Sequence, residues 1–293
     1  MSEMLDSAPD SRSVPDSRPD AAGLAPLGPD SLTWRRFGDL RIALLMTWAG
    51  TLQAMHPVIS AALLEHSDVF ENPVGRLLRS GGPIVDVVYA GAPAGARVRG
   101  YHRGIEGVDE HGERYHALHP EPYFWAHATF LAMQYVAAEY FAEPLTDAEK
   151  EQLYRESIRW YAQYGMSMRV VPPDYAAFQR YWEHTVTSVL VDSAAIRRSA
   201  LHGAGPVPPP APWIPRPLWA LFGGPLVGLE MWLARGLLPA AARERLGWTW
   251  SAREERRLRR FGGAVRTAFR LVSPAYRLAP TARRAFQTAR VRP

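Results

Sequence analysis

The chain has 293 residues, 47% apolar and 22% charged, enough to bury a sizeable core and unlike a collagen-like or wholly disordered polymer. It contains no cysteine, which excludes a disulfide scaffold, a thiolate-ligated zinc or iron–sulfur site, a cysteine nucleophile and a thiolate-bound haem. The net charge of +5 is carried almost wholly by arginine, Lys150 being the one lysine, a skew that reflects coding composition as much as function.

Residues 1–30 hold five Pro and five Asp, repeat Pro-Asp-Ser-Arg, and carry a net charge of −4. With few large apolar side chains, the stretch is expected to be a disordered tail ahead of one domain spanning 31–293. No apolar run precedes Leu40, so a secretory signal is not expected and a cytoplasmic protein is the default. Asp39 caps a predicted helix over Leu40–Met55, and His56-Pro57 separates it from a second one to about His66. Asn72-Pro73 starts a short helix that Gly81-Gly82-Pro83 should break. Gly91–Gly95 loosens the chain before a helix on which Arg99, His102 and Arg103 share one face. Gly107–Ala117 reads as a hairpin turning at His111-Gly112. Pro120 opens a long apolar helix to Phe141, and Thr146 with Glu149 forms a capping box for the next, to Tyr164. Further helices follow over Asp174–Leu190 and from Asp192 to Leu201. Seven prolines make 203–217 a stiff connector. Leu218–Leu238, an arginine-rich helix and a last helix near Pro280–Arg290 complete an all-α fold of about a dozen helices.

Two surfaces bear on partners. Residues 240–293 hold 14 Arg against three Glu, with Leu258, Phe261, Val265, Phe269 and Val272 at helical spacing. No nucleic-acid-binding motif accompanies them, so a solvated face on a packed helix is expected, and no nucleic-acid partner. Leu218–Leu238 is long enough to span a bilayer but is interrupted by Gly223-Gly224-Pro225 and carries Glu230 and Arg235. It reads as the cover of an apolar cavity or as a peripheral membrane contact.

Seven of the nine histidines lie between His56 and His127. The helical His-Glu-x-x-His zinc signature is absent, and the one Glu-x-x-His, at Glu113–His116, falls in the hairpin. There is no Gly-x-Ser-x-Gly elbow and no phosphate loop. His127 stands apart because it sits on an apolar helix with Tyr123, Phe124, Trp125 and Phe130 around it. A buried imidazole needs partners for its ring nitrogens: an iron atom is one, a backbone carbonyl another, and periodicity favours the carbonyl. Arg99, His102 and Arg103 could hold propionates or polarise bound oxygen, though spacing alone favours a solvated face.

The motifs, taken together, resemble a known family. Gln53-Ala54-Met55-His56-Pro57 with Glu65-His66-Ser67, then Arg99-Gly100-Tyr101-His102-Arg103-Gly104-Ile105-Glu106-Gly107, follow its order. So do Asp109-x-x-Gly112-x-x-Tyr115-x-Ala117, Trp125-Ala126-His127-Ala128, Tyr181-Trp182 and Trp250-Ser251. Across residues 38–290 the chain is similar to the MpaB/rubber-oxygenase family. Characterised members are α-helical haem-b proteins that add dioxygen across a carbon–carbon double bond and split it into two carbonyls. The resemblance implies that His127 is the proximal iron ligand. It sets Arg99, His102 and Arg103 where latex-clearing enzymes carry a distal Arg, Lys and Thr, so only the arginine is kept.

The resulting expectation is a haem-b oxygenase that takes dioxygen and an apolar, terpenoid-like small molecule. His127 would hold the iron and Arg99, His102 and Arg103 would form the distal set. Trp125 and Phe130 would pack on the porphyrin or ligand, and His56 would line the pocket or cap the helix after it. The rival is a non-catalytic helical protein that carries or senses haem or a lipid, or docks on a membrane through its arginine-rich end.

Overall fold

The computed structural model describes residues 24–109, 111–199, 209 and 213–291. Most of the connector 203–217 and residues 1–23 lie outside them. The fold is all-α: α1 (Leu32–Phe37), a 3-10 turn (Leu40–Leu45), α2 (Met46–Ala54), α3 (Pro57–His66), α4 (Pro73–Ala90) and α5 (Ala92–Tyr101) come first. A hairpin follows, β1 (Glu106–Val108) paired antiparallel to β2 (Arg114–His116), with Gly107 opposite Tyr115. Then come α6 (Pro120–Tyr140), α7 (Asp147–Ala162), α8 (Tyr175–His184), α9 (Ala194–Arg198), α10 (Arg216–Leu237), α11 (Ala240–Arg245), α12 (Ala252–Leu271) and α13 (Pro280–Thr288).

α6 is the axis of the core. Its apolar residues do not form a stripe but run round the helix, and Tyr123, Phe124, Trp125, Ala128, Leu131 and Met133 are all buried. A helix apolar on every side has to be covered on every side; α1, α2, α7, α12 and the 3-10 turn pack around it. Indole N–H groups stitch this shell by donating to backbone carbonyls at 3.0 Å: Trp125 to Leu52, Trp48 to Leu237 and Trp34 to Val88. α7 is fixed from its other face by Glu156. That buried carboxylate accepts from Leu32 N (3.0 Å), Thr33 N (2.8 Å) and Thr33 Oγ1 (2.8 Å), so it caps the N-terminus of α1 where the helix dipole favours an anion.

Several sequence expectations need correcting. Gly81-Gly82-Pro83 does not end a helix: α4 runs through it. α10 likewise runs through Pro225. In both, the residues before the proline are glycines, whose missing side chains leave the backbone free to accommodate the ring and the lost N–H. The helix expected over Asp174–Leu190 ends its α portion at His184 and continues as a π turn, Thr185–Val189. Residues 24–30 are not a free tail. Leu27 is buried, Arg159 donates to the carbonyls of Ala25 (3.2 Å) and Pro26 (2.9 Å), and Gln163 donates to that of Leu24 (3.1 Å).

Candidate functional site

His127 faces α7. It is 2% exposed, and its Nε2 lies 2.8 Å from Ser157 Oγ and 3.2 Å from the Ser157 carbonyl oxygen. A carbonyl can only accept, so it is the tautomer with the proton on Nε2 that makes both contacts hydrogen bonds, and in that tautomer Nδ1 carries the lone pair. Nδ1 is buried and has no hydrogen-bond partner. Burial pushes the imidazole pKa down to about 3, so the ring is neutral at any ordinary pH. Four aromatic rings bound it: Trp160 at 4.7 Å between centroids, Tyr161 at 5.1 Å, Tyr164 at 5.9 Å and Phe124 at 6.1 Å.

The aromatic shell continues to the surface. Tyr123 meets Tyr164 edge-on at 5.5 Å and Tyr161 at 6.3 Å, and its other side meets His102 at 5.4 Å. The hydroxyls of Tyr123 and Tyr161 are buried without a partner. Burial raises both phenols well above their ordinary pKa, so they remain proton donors.

α5 is fastened to the end of α7 at two points. Gly95 lies against the backbone of Gln163, where a Cβ would come within 2.0 Å of the carbonyl oxygen. Its role is close approach, not the loosening expected from the glycine-rich sequence. Arg99 donates to the Gly165 carbonyl at 2.8 Å, and Gly165 has φ +65° with the guanidinium over it, so only glycine suits the position. His102 is the residue that ends α5, half-buried, with Nδ1 2.8 Å from the Val98 carbonyl; burial lowers its pKa. Arg99 and His102 thus stand on the Tyr123 side of the aromatic shell. Arg103 does not share their helical face: the chain turns away after Tyr101 towards Gly104 at φ +74°, leaving Arg103 exposed.

The remaining expected residues are elsewhere. Trp125 points away from His127, into α2 and α8, with Trp182 at 5.0 Å. Phe130 packs against Phe37 at 6.4 Å, and that ring in turn meets Trp160 at 4.7 Å. His56 precedes α3, buried, its Nδ1 unpartnered and its pKa lowered to about 4 by burial. His66 Nε2 lies 3.2 Å from the Glu106 carbonyl, and Tyr115 donates to Glu65 at 2.6 Å; these motif residues tie the hairpin to α3. A cavity of about 350 Å³ between α1 and α6, lined by Arg35, Arg36 and Gln134 among others, includes none of these residues.

The residue not anticipated is Ser157. Its signal is a small polar side chain in the buried row Leu153, Ser157, Trp160 and Tyr161 of α7, which Tyr164 continues just past the helix end, where an apolar residue would otherwise be expected.

Comparison with known proteins decides the family. The model of the "ER-bound oxygenase mpaB/B'/Rubber oxygenase, catalytic domain" matches residues 34–267. The chain belongs to the MpaB/rubber-oxygenase family. It is also 25% identical over 214 residues to the uncharacterized proteins Rv2237 of Mycobacterium tuberculosis and Mb2261 of Mycobacterium bovis, covering 71% of this chain and 80% of each relative. No solved structure matches. The matched segment of this MpaB-type domain runs from Trp34 through α5, α6 and α7 into α12, and so contains the whole His127 neighbourhood. Membership makes the chain an oxygenase-family oxidoreductase, acting on a small molecule with dioxygen.

Proposed function

We propose that the protein is a haem-b-dependent oxygenase of an apolar small molecule and that His127 is its iron ligand. The observation that carries this reading is the pairing of ring nitrogens on His127. Nε2 is held by the Ser157 carbonyl and hydroxyl, and Nδ1 presents a buried lone pair with nothing to satisfy it. One nitrogen fixed by a carbonyl and the other free to bind is how proteins orient a metal-binding histidine. Among the described residues no three His, Asp or Glu side chains converge, so His127 would contribute a single donor, which suits a metal whose other positions a macrocycle fills. The chemistry of the surrounding shell also suits a flat apolar group with polar edges. It is aromatic, and the phenols of Tyr123 and Tyr161 are not tethered by hydrogen bonds, so turning them sacrifices packing alone.

Haem, when bound, would supply binding and activation of dioxygen. The chain's own residues would do the rest. Ser157 orients the imidazole through Nε2. Phe124, Trp160 and the tyrosine rings exclude water, which strengthens every remaining electrostatic contact. Tyr123 and Tyr161 offer phenolic protons at Oη, either to a propionate or to an oxygen of the substrate. Arg99 places a permanent cation beside Tyr123, and His102 Nδ1 is committed to Val98, leaving Nε2 as its active nitrogen. Arg103, exposed on the turn, has no part in this set.

The test is a titration of the purified chain with ferric haem, followed by dithionite reduction and addition of oxygen with a terpenoid alkene. A Soret band at one haem per chain and alkene-dependent oxygen uptake support the reading. A Soret band without oxygen uptake favours a haem carrier, and no Soret band removes haem altogether.

A further inference from the structure

The first half of α10 breaks the rule that an apolar helix is covered. From Pro217 to Leu229 it carries no charged residue, yet Leu218, Leu221, Phe222 and Leu226 are all exposed, Leu221 at 66% and Phe222 at 60%. Trp213, just ahead of the helix, is 80% exposed. The exposed residues do not form a stripe. Gly224, Pro225 and Gly228 are exposed as well, so most of the circumference is open. A docked protein covers one face of a helix, whereas a solvent of hydrocarbon covers all of them.

The second half of the same helix belongs to the core. Leu233, Ala234 and Leu237 are buried, the Leu237 carbonyl accepts from Trp48, and Glu230 is mostly buried beside Thr47, where burial raises its pKa. The change from core to open helix therefore falls near Glu230. From Leu218 to Leu229 the open part rises about 18 Å at 1.5 Å per residue. That is roughly half of the ~30 Å hydrocarbon thickness of a bilayer and close to one leaflet. Arg216–Leu237 is long and apolar enough to cross a bilayer, but half of it is committed to the protein core. Charge favours an anionic surface. α12 packs on α10 at Trp232 through Phe261 (5.9 Å), with Trp250, just ahead of α12, beside the same ring at 6.1 Å, and α12 bears exposed Arg253, Arg256 and Arg260.

We propose that the N-terminal half of α10 inserts into one leaflet of a lipid bilayer as a monotopic anchor, with the arginines of α12 meeting anionic headgroups. This goes beyond the proposed oxygenase reading and does not depend on haem. Insertion would also present the domain to lipid-soluble molecules.

The experiment is flotation of the full chain with vesicles of phosphatidylcholine containing a minority of phosphatidylglycerol. The wild-type chain should float, and Leu221→Asp/Phe222→Asp should reduce bound protein by about tenfold or more while leaving the melting temperature unchanged, since both side chains are already exposed. High salt should weaken the binding without abolishing it. Because the chain lacks cysteine, Leu221→Cys can carry a single environment-sensitive dye. A quencher placed on the acyl chains should quench the dye at 221 but not at Val108→Cys on the hairpin. Equal flotation of the wild type and the double Asp variant overturns the proposal. So does absence of flotation combined with a dimer in solution that the double variant dissociates, which would make a second copy the occupant.

Discussion

Ser157 Oγ lies 2.8 Å from His127 Nε2, joining the middle of α7 to the centre of α6 through a histidine with one satisfied nitrogen and one orphan. Most buried polar groups find partners, because each one that does not costs about 1–3 kcal/mol. The orphan Nδ1, with the unpartnered hydroxyls of Tyr123, Tyr161 and Tyr164 close to it, is a feature of this core that a ligand would explain.

Ser157→Ala should keep the fold and loosen the imidazole, leaving only the 3.2 Å carbonyl contact. Loss of one buried hydrogen bond costs about 1 kcal/mol, or roughly 2–4 °C in melting temperature for a domain of this size. Haem affinity should fall by about tenfold, as it does when outer partners of metal ligands are removed. Calorimetry and a haem titration read the two effects. A drop in melting temperature with unchanged affinity would make Ser157 a packing residue only.

Stability should decline on mild acidification. Burial holds the pKa of His127 at about 3 and that of His56 at about 4, below the ordinary histidine value near 6.5. In the window between, the unfolded chain binds protons that the folded chain does not, so stability is full above pH 6.5 and is lost as pH falls towards the folded values. Going from pH 7 to pH 5 should cost about 2 kcal/mol per histidine. Denaturant melts at the two pH values measure it, and His56→Gln should flatten the slope.

Arg99→Leu should release the Gly165 carbonyl and slacken the seat of α5 on α7, with the closely packed Gly95 still holding. The protein should stay folded and retain haem. Its turnover should fall on the order of 100-fold, as for loss of one preorganised cationic donor. Arg103→Leu is the matched control and should turn over normally. Equal loss in both variants would contradict the division made between them.

A chain beginning at Leu24 should melt several degrees above one beginning at Ser31. The difference is Leu27, worth about 1.5–3 kcal/mol if fully buried, together with the Arg159 and Gln163 hydrogen bonds. Thermal melts of the two chains decide it.

Local chemistry made much of this legible. The Thr146–Glu149 capping box forms as expected, and so does the hairpin around His111-Gly112. The apolar surroundings of His127 announced its burial. Three things were not legible. Proline signals for Pro83 and Pro225 were read as breaks because a propensity cannot register the tolerance that preceding glycines and tertiary packing confer. Residues 24–30 look featureless, since a single leucine and three accepting carbonyls are enough to dock them. Trp125, two positions before His127, lies round the helix from it, and only the packing of α7 on α6 shows that the neighbours of the imidazole are Trp160, Tyr161 and Tyr164, thirty-odd residues away in sequence.

The most direct test of the central claim is the visible spectrum of His127→Ala beside the wild type after equal exposure to haem. The wild type should retain one haem per chain through gel filtration. His127→Ala should lose the Soret band while keeping its far-ultraviolet helicity, and His56→Ala should retain the band. A full Soret band on folded His127→Ala would contradict His127 as the iron ligand, and its loss in His56→Ala would move the assignment to His56.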